Sequence, residues 1–175
     1  MPRFPSSVAS GALPEYPSKE EAQRMIEAAE TPRDRMLLLV LWHTGARISE
    51  AIKVRKSDFY GDHLRMTNLK QKKRAAQKVV YISQDFVSEW QSYVANLEPT
   101  GYLFPGRIPG CTIRRNYAWK IVKQIAAKVG VFRPKGDGTV SAAWPHSFRH
   151  GNAVHQLKSG VPIKISELGK IELAC

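Results

Sequence analysis

The chain has 175 residues, enough for one domain with a sizeable core and too few for two ordinary ones. Its 27 Lys and Arg against 15 Asp and Glu leave a net charge of +12, and 43% hydrophobic residues exclude disorder as the default state. Such a charge excess points to a polyanionic partner, nucleic acid first and an anionic membrane surface second, because phosphates bound by Lys and Arg release their condensed counterions.

Residues 1–17, with Pro2, Pro5, Pro14 and Pro17, have no helical period and are expected to be a linker or N-terminal arm, leaving 18–175 as the domain. Ser18 and Glu21 have capping-box spacing, so a helix is predicted from Lys19 to about Glu30. Thr31-Pro32 opens a second, apolar almost all round through Met36–Trp42, which should be the buried centre and should stop at Gly45. A short helix around Ile48–Val54 follows. The pattern then turns to strands at His63–Thr67 and Lys78–Ile82, a β-hairpin joined by the basic stretch Lys70–Gln77. Ser83 caps a helix predicted over Asp85 to about Leu97, Thr112 opens one predicted through Val129, and Gly136-Asp137-Gly138 is an exposed turn. Pro145–Lys158, closed by Gly160, completes the helices. The expected fold class is therefore α+β, mostly helical, with a small antiparallel sheet.

No apolar run is long enough to cross a bilayer, and Met1–Leu13 contains no apolar leader core, so a cytoplasmic protein without a membrane partner is expected. Cys111 and Cys175 stand far apart without metal-ligand spacing, which fits a reducing compartment and implies no metal site and no disulfide framework.

Cations meet structural punctuation in three places: His43–Glu50, the hairpin connection, and His146–His150. An Arg just beyond a helix-breaking Gly is held at a turn, so Arg47 is a candidate phosphate clamp; pairing with Glu50 one turn on is the plainer alternative. His146 and Arg149, three residues apart, share a helical face and can address one ligand, the Arg as a planar donor and the His as a proton carrier.

In content and order these segments resemble the catalytic domain of the tyrosine recombinases, or phage integrase family, over about Ser18–Lys164. "HTGARISEAIKV" is similar to the family's first arginine box, with Arg47 as its arginine and Glu50 supporting it, and "PHSFRHGNAVHQLKSGVPI" to the second, with His146 and Arg149 matching. The resemblance implies metal-free and cofactor-free phosphodiester transfer on double-stranded DNA, by a homo-oligomer assembled on it. In that chemistry a tyrosine attacks the scissile phosphate, forming a 3′-phosphotyrosine. The two arginines stabilise the developing charge, and a hairpin lysine protonates the leaving 5′ oxygen. Lys70 best fits that lysine, with Lys72 and Lys73 as competitors; Lys72, Lys73 and Arg74 are otherwise expected on the DNA backbone, and His150 beside the pocket. A bacterial or phage-encoded, nucleoid-associated protein is implied. The family's continuation "LGH" is here Leu168-Gly169-Lys170, which makes Lys170 the candidate third-box position. The six tyrosines all precede His146 and none has the family's sequence context, so the expectation is a domain truncated at its C-terminus, able to hold the phosphate and unable to cleave. A noncatalytic DNA-binding or regulatory protein on the same fold is the alternative.

Overall fold

Ser18 accepts the Glu21 N–H while the Glu21 carboxylate accepts the Ser18 N–H, and this reciprocal cap starts α1 (Lys19–Glu27). The computed structural model describes residues 16–67, 77–95, 97–98, 101–135 and 137–160, together with the backbone of 68, 76, 163–166 and 170–173. Helix α2 (Pro32–Thr44) begins with the Thr31 hydroxyl accepting the Asp34 N–H and with Pro at a position whose N–H has no helical partner. Met36 through Trp42 are all buried, so α2 runs through the core. Burial of each Leu or Val contributes about 1.5–3 kcal/mol.

The helix stops where the sequence predicts. Gly45 sits at φ 56°, and its N–H donates to the Leu41 carbonyl. The short α3 (Ile48–Ala51) follows, and then a three-stranded antiparallel sheet of β1 (Phe59–Tyr60), β2 (His63–Asn68) and β3 (Ala76–Tyr81). Its pairing sets Leu64 against Val80 and Met66 against Lys78, so the alternation that buries Leu64 and Met66 also turns Lys78 toward the core. The residues joining β2 to β3, with Lys70, Lys72, Lys73 and Arg74, lie outside the described residues.

Helix α4 (Gln84–Val94) buries Phe86, Trp90 and Val94, and Trp90 stacks on Phe59 of the sheet. Helix α5 (Arg115–Lys128) is capped at Arg114, two residues later than a cap at Thr112 would have it: the Thr112 hydroxyl lies against the Ile52 and Phe104 carbonyls, tying a loop to the end of α3 instead of capping a helix. The turn at Asp137 closes a hairpin, β4 (Phe132–Pro134) with β5 (Val140–Ala142), that the sequence reading did not contain. Within it, buried Arg133 pairs with Glu21, which fastens the hairpin to α1. Helix α6 (Pro145–Lys158) lies against α2, with Trp42 edge-on to Phe148 and stacked on His155. Beyond it the backbone forms an antiparallel pair, β6 (Ile163–Ser166) with β7 (Lys170–Leu173), in a stretch to which the sequence assigned no element. The mostly helical α+β class with small antiparallel sheets is what the chain adopts.

A candidate phosphate-binding site at the end of the central helix

The turn that carries Arg47 is fixed from within. The Thr44 hydroxyl donates to the Val40 carbonyl at 2.6 Å and accepts the Ala46 N–H at 3.1 Å, and Gly45 supplies the left-handed bend. Arg47 then donates twice to Glu50: its backbone N–H to Oε2 and its Nη1 to Oε1, both at 3.0 Å. Glu50 is buried, its side chain 1% exposed, while that of Arg47 is 39% exposed. The pairing with Glu50 and the role of clamp are thus compatible. The buried carboxylate anchors one edge of the guanidinium and leaves the group at the surface.

From α6, Arg149 reaches across and donates Nη1 to the Gly45 carbonyl at 2.7 Å, two residues from Arg47. His146 lies on the same face of α6, one turn before His150, with the two Nε2 atoms 2.9 Å apart. At that separation one ring donates its N–H and the other accepts it. Burial first, and then His150, Arg149 and Arg47, hold the His146 pKa below the ordinary histidine value, so its neutral form prevails at pH 7.

One cation in this cluster was missed by the sequence reading. Lys78 of β3 places Nζ 3.7 Å from Glu50 Oε2. Its pKa is held down by burial and by the charges of Arg149 and Arg47, against the opposing pull of Glu50. The signal was present in the hairpin: a residue opposite Met66 faces the same way as Met66. Arg47, Glu50, Lys78, His146, Arg149 and His150 are therefore gathered at one place, whereas the side chains of Lys70, Lys72, Lys73, Arg74 and Lys170 lie outside the described residues. A surface depression elsewhere, lined by Asp85, Ser88, Glu89 and Ser92, carries the wrong charge for a phosphate.

Five of the tyrosines have other employment. Tyr60 and Tyr81 flank His63 on the exposed face of the sheet, Tyr93 donates to the Leu103 carbonyl, Tyr102 lies under the Arg55 guanidinium, and Tyr117 accepts from Arg33. Among the described residues no group of three or more His, Cys, Asp or Glu side chains is arranged to hold a metal ion, and no helix is long and apolar enough to cross a membrane.

A helical core bearing two arginine boxes and a hairpin between them is the architecture of a tyrosine-recombinase catalytic domain. The sequence matches the phage integrase family over residues 16–168, and the chain belongs to that family. It is 29% identical over 187 residues to a resolvase of Escherichia coli, covering 91% of this chain and 69% of the relative. It is 28% identical over 175 residues to the tyrosine recombinase XerA of Pyrococcus horikoshii, covering 94% of this chain and 53% of the relative. Among solved structures, a XerA recombinase superposes with a TM-score of 0.67 at 25% identity, over 91% of this chain and 53% of that one. The XerH site-specific recombinase bound to its difH substrate shares the fold with a TM-score of 0.65 at 18% identity, over 88% of this chain and 46% of that one. The chain thus spans about two thirds of the resolvase and about half of the XerA and XerH chains.

Proposed function

We propose that this chain is the phosphate-handling part of a site-specific DNA recombinase or integrase, with duplex DNA as its partner. The observation that carries this reading is the meeting of Arg47 and Arg149, from two distant segments, at the Gly45 turn. In this reading Arg47 and Arg149 take the non-bridging oxygens of the scissile phosphate. Preorganised donors aimed at developing charge accelerate such steps by about 10² to 10³ each. His146, neutral at rest, donates or accepts a proton at the same phosphate, and His150 is its hydrogen-bond partner on α6. Glu50 orients Arg47.

The proton for the leaving 5′ oxygen comes from a lysine, since Arg does not release one under these conditions. Lys70 is that lysine by family resemblance, with Lys72, Lys73 and Arg74 on the neighbouring backbone phosphates. Lys170 takes the third-box position. The tyrosine that would form the 3′-phosphotyrosine is not one of the six in the chain, so this chain binds the phosphate without cutting the strand. Copies assembled on DNA and a nucleoid location in the cytoplasm belong to the same reading.

Incubation with a nicked duplex, followed by denaturing electrophoresis and peptide mapping, tests both halves. Retention of the duplex in a native gel, weakened about tenfold in Arg47→Ala and in Arg149→Ala, is expected together with no covalent adduct. An adduct on any of the six tyrosines would overturn the noncleaving half, and duplex binding indifferent to both arginines would overturn the phosphate-handling half.

A further inference from the structure

Two guanidiniums, one on a turn and one on a helix, grip one phosphate only if something fixes the distance between their backbones. In this chain that task falls on the joint between the last turn of α2 and the middle of α6. The final carbonyls of a helix have no partner inside it, and here α6 supplies two from its side chains: Arg149 to the Gly45 carbonyl, and Asn152 Nδ2 to the Trp42 carbonyl at 2.5 Å. Asn152 is 3% exposed, and its Oδ1 accepts from Gln156 Nε2 at 3.3 Å.

The approach is close. A Cβ built on Gly45 would stand 2.7 Å from Asn152 Oδ1, and one built on Gly151 would stand 2.6 Å from the Pro17 carbonyl and 3.2 Å from the Trp42 ring. Two glycines and one buried amide thus leave the joint a single seating. The amide is needed on both sides, because a buried carbonyl deprived of its donor keeps the full cost of its lost hydration.

We infer that Asn152 is a positioning residue: through the Trp42 carbonyl and the Gly45 backbone it sets the turn carrying Arg47 against Arg149, so that the two guanidiniums face one phosphate. This rests on the phosphate-binding reading for what the arginines serve; the placing of the turn is measurable without any anion. Leu in place of Asn152 keeps the bulk and removes the donor. Asp keeps the shape, donates to the carbonyl when protonated, and repels it when ionised.

The test uses the isotopically labelled full chain and follows the amide signals of Gly45, Ala46 and Arg47 and the Arg149 Nε–H, first without anion and then on titration with inorganic phosphate. In Asn152→Leu these four signals should shift and phosphate affinity should fall about tenfold, as expected when paired donors are misaligned. Val94→Ala, a core truncation in α4, should lower the melting temperature while leaving both readouts as in the parent. In Asn152→Asp the four signals should return toward parental positions as pH falls from 8 to 5, which also decides the matter should Asn152→Leu fail to fold. Unmoved signals in Asn152→Leu, or parental signals in Asn152→Asp at every pH, would overturn the inference. So would parental phosphate affinity in Asn152→Leu when Arg47→Ala has lost it. If the parent itself does not bind phosphate, the reading of the pocket fails, and the signals measured without anion still decide whether Asn152 places the turn.

Discussion

The Arg133–Glu21 pair and the Arg47–Glu50 pair use the same two side chains with the burial reversed. In the first the arginine is 1% exposed and the glutamate 24%; in the second the arginine is 39% exposed and the glutamate 1%. A buried guanidinium turns its terminal donors inward, Nη2 on Glu21 and Nη1 on the Phe132 carbonyl, so that α1 and β4 are held together. A buried carboxylate does the opposite. It anchors an arginine from behind and presents the cation outward, ready for an anion from solvent. The direction of burial, more than the existence of an ion pair, separates a structural contact from one poised for a ligand.

The largest expected effect lies on the structural side. Glu21→Ala strands the Arg133 charge in the interior and should cost about 3 kcal/mol of stability in urea unfolding, the usual cost of breaking a buried pair on one side. The double replacement by Met at both positions should recover much of that loss, since apolar side chains of similar volume need no compensation. Neither change should alter the affinity of the folded protein for duplex DNA. A drop in affinity with Glu21→Ala beyond its unfolded fraction would erase the distinction drawn between the two pairs.

The pocket-side counterpart is Arg47→Ala. It should lower duplex affinity about tenfold, the worth of a charge-assisted contact or two. The stability loss should stay below that of Glu21→Ala, because Lys78 and the residue 47 N–H still face the Glu50 carboxylate. Electrophoretic binding and urea unfolding on the same preparations would give the two numbers side by side. A variant that unfolds as readily as Glu21→Ala while still binding DNA would mean that the two pairs do one job.

What could be read from sequence divides along the same line. The caps at Ser18 and Thr31, the apolar run in α2 and the stop at Gly45 depend on neighbours in the chain, and each was legible. Arg47, His146 and Arg149 were legible as candidates because their surroundings match a known family in order. The place of Lys78 was not read, because it depends on the register of the hairpin, although the alternation at Leu64 and Met66 carried the signal. Thr112 shows the converse: a residue with the chemistry of a cap spends its hydroxyl on carbonyls brought close only by the folded chain. The β4–β5 hairpin has strands of three residues each, one ending in Pro134, too short for a period to emerge.

A smaller effect follows from His146. Its folded pKa lies below the ordinary histidine value, so as pH falls through that value the unfolded chain takes up a proton before the folded one, and stability declines. The contribution is fully present above the ordinary value and is lost as pH falls through the lowered folded value. His43, its pKa lowered chiefly by burial, pushes in the same direction. The melting temperature should therefore fall less between pH 7 and pH 5 in His146→Gln than in the parent. Phosphate beside His146 should oppose the loss by favouring the charged ring. If phosphate left the parent's pH profile unchanged, His146 would not face the bound anion.

The finest test separates contact from mere charge. Arg47→Ala and Arg133→Ala each remove one positive charge, so any long-range effect of net charge on DNA binding is nearly the same in both. Counterion release, by contrast, counts phosphates in contact, each contributing about 0.9 to the slope of log K against log salt on duplex DNA. Arg47→Ala should reduce that slope by about 0.9. Arg133→Ala should leave it unchanged once affinities are corrected for the unfolded fraction, because a guanidinium buried on Glu21 reaches no phosphate. Isotherms from low to moderate salt on one duplex supply both slopes. Equal reductions would show that Arg47 acts only as part of a diffuse positive surface, and the outward-facing arginine of the comparison would then have no phosphate of its own.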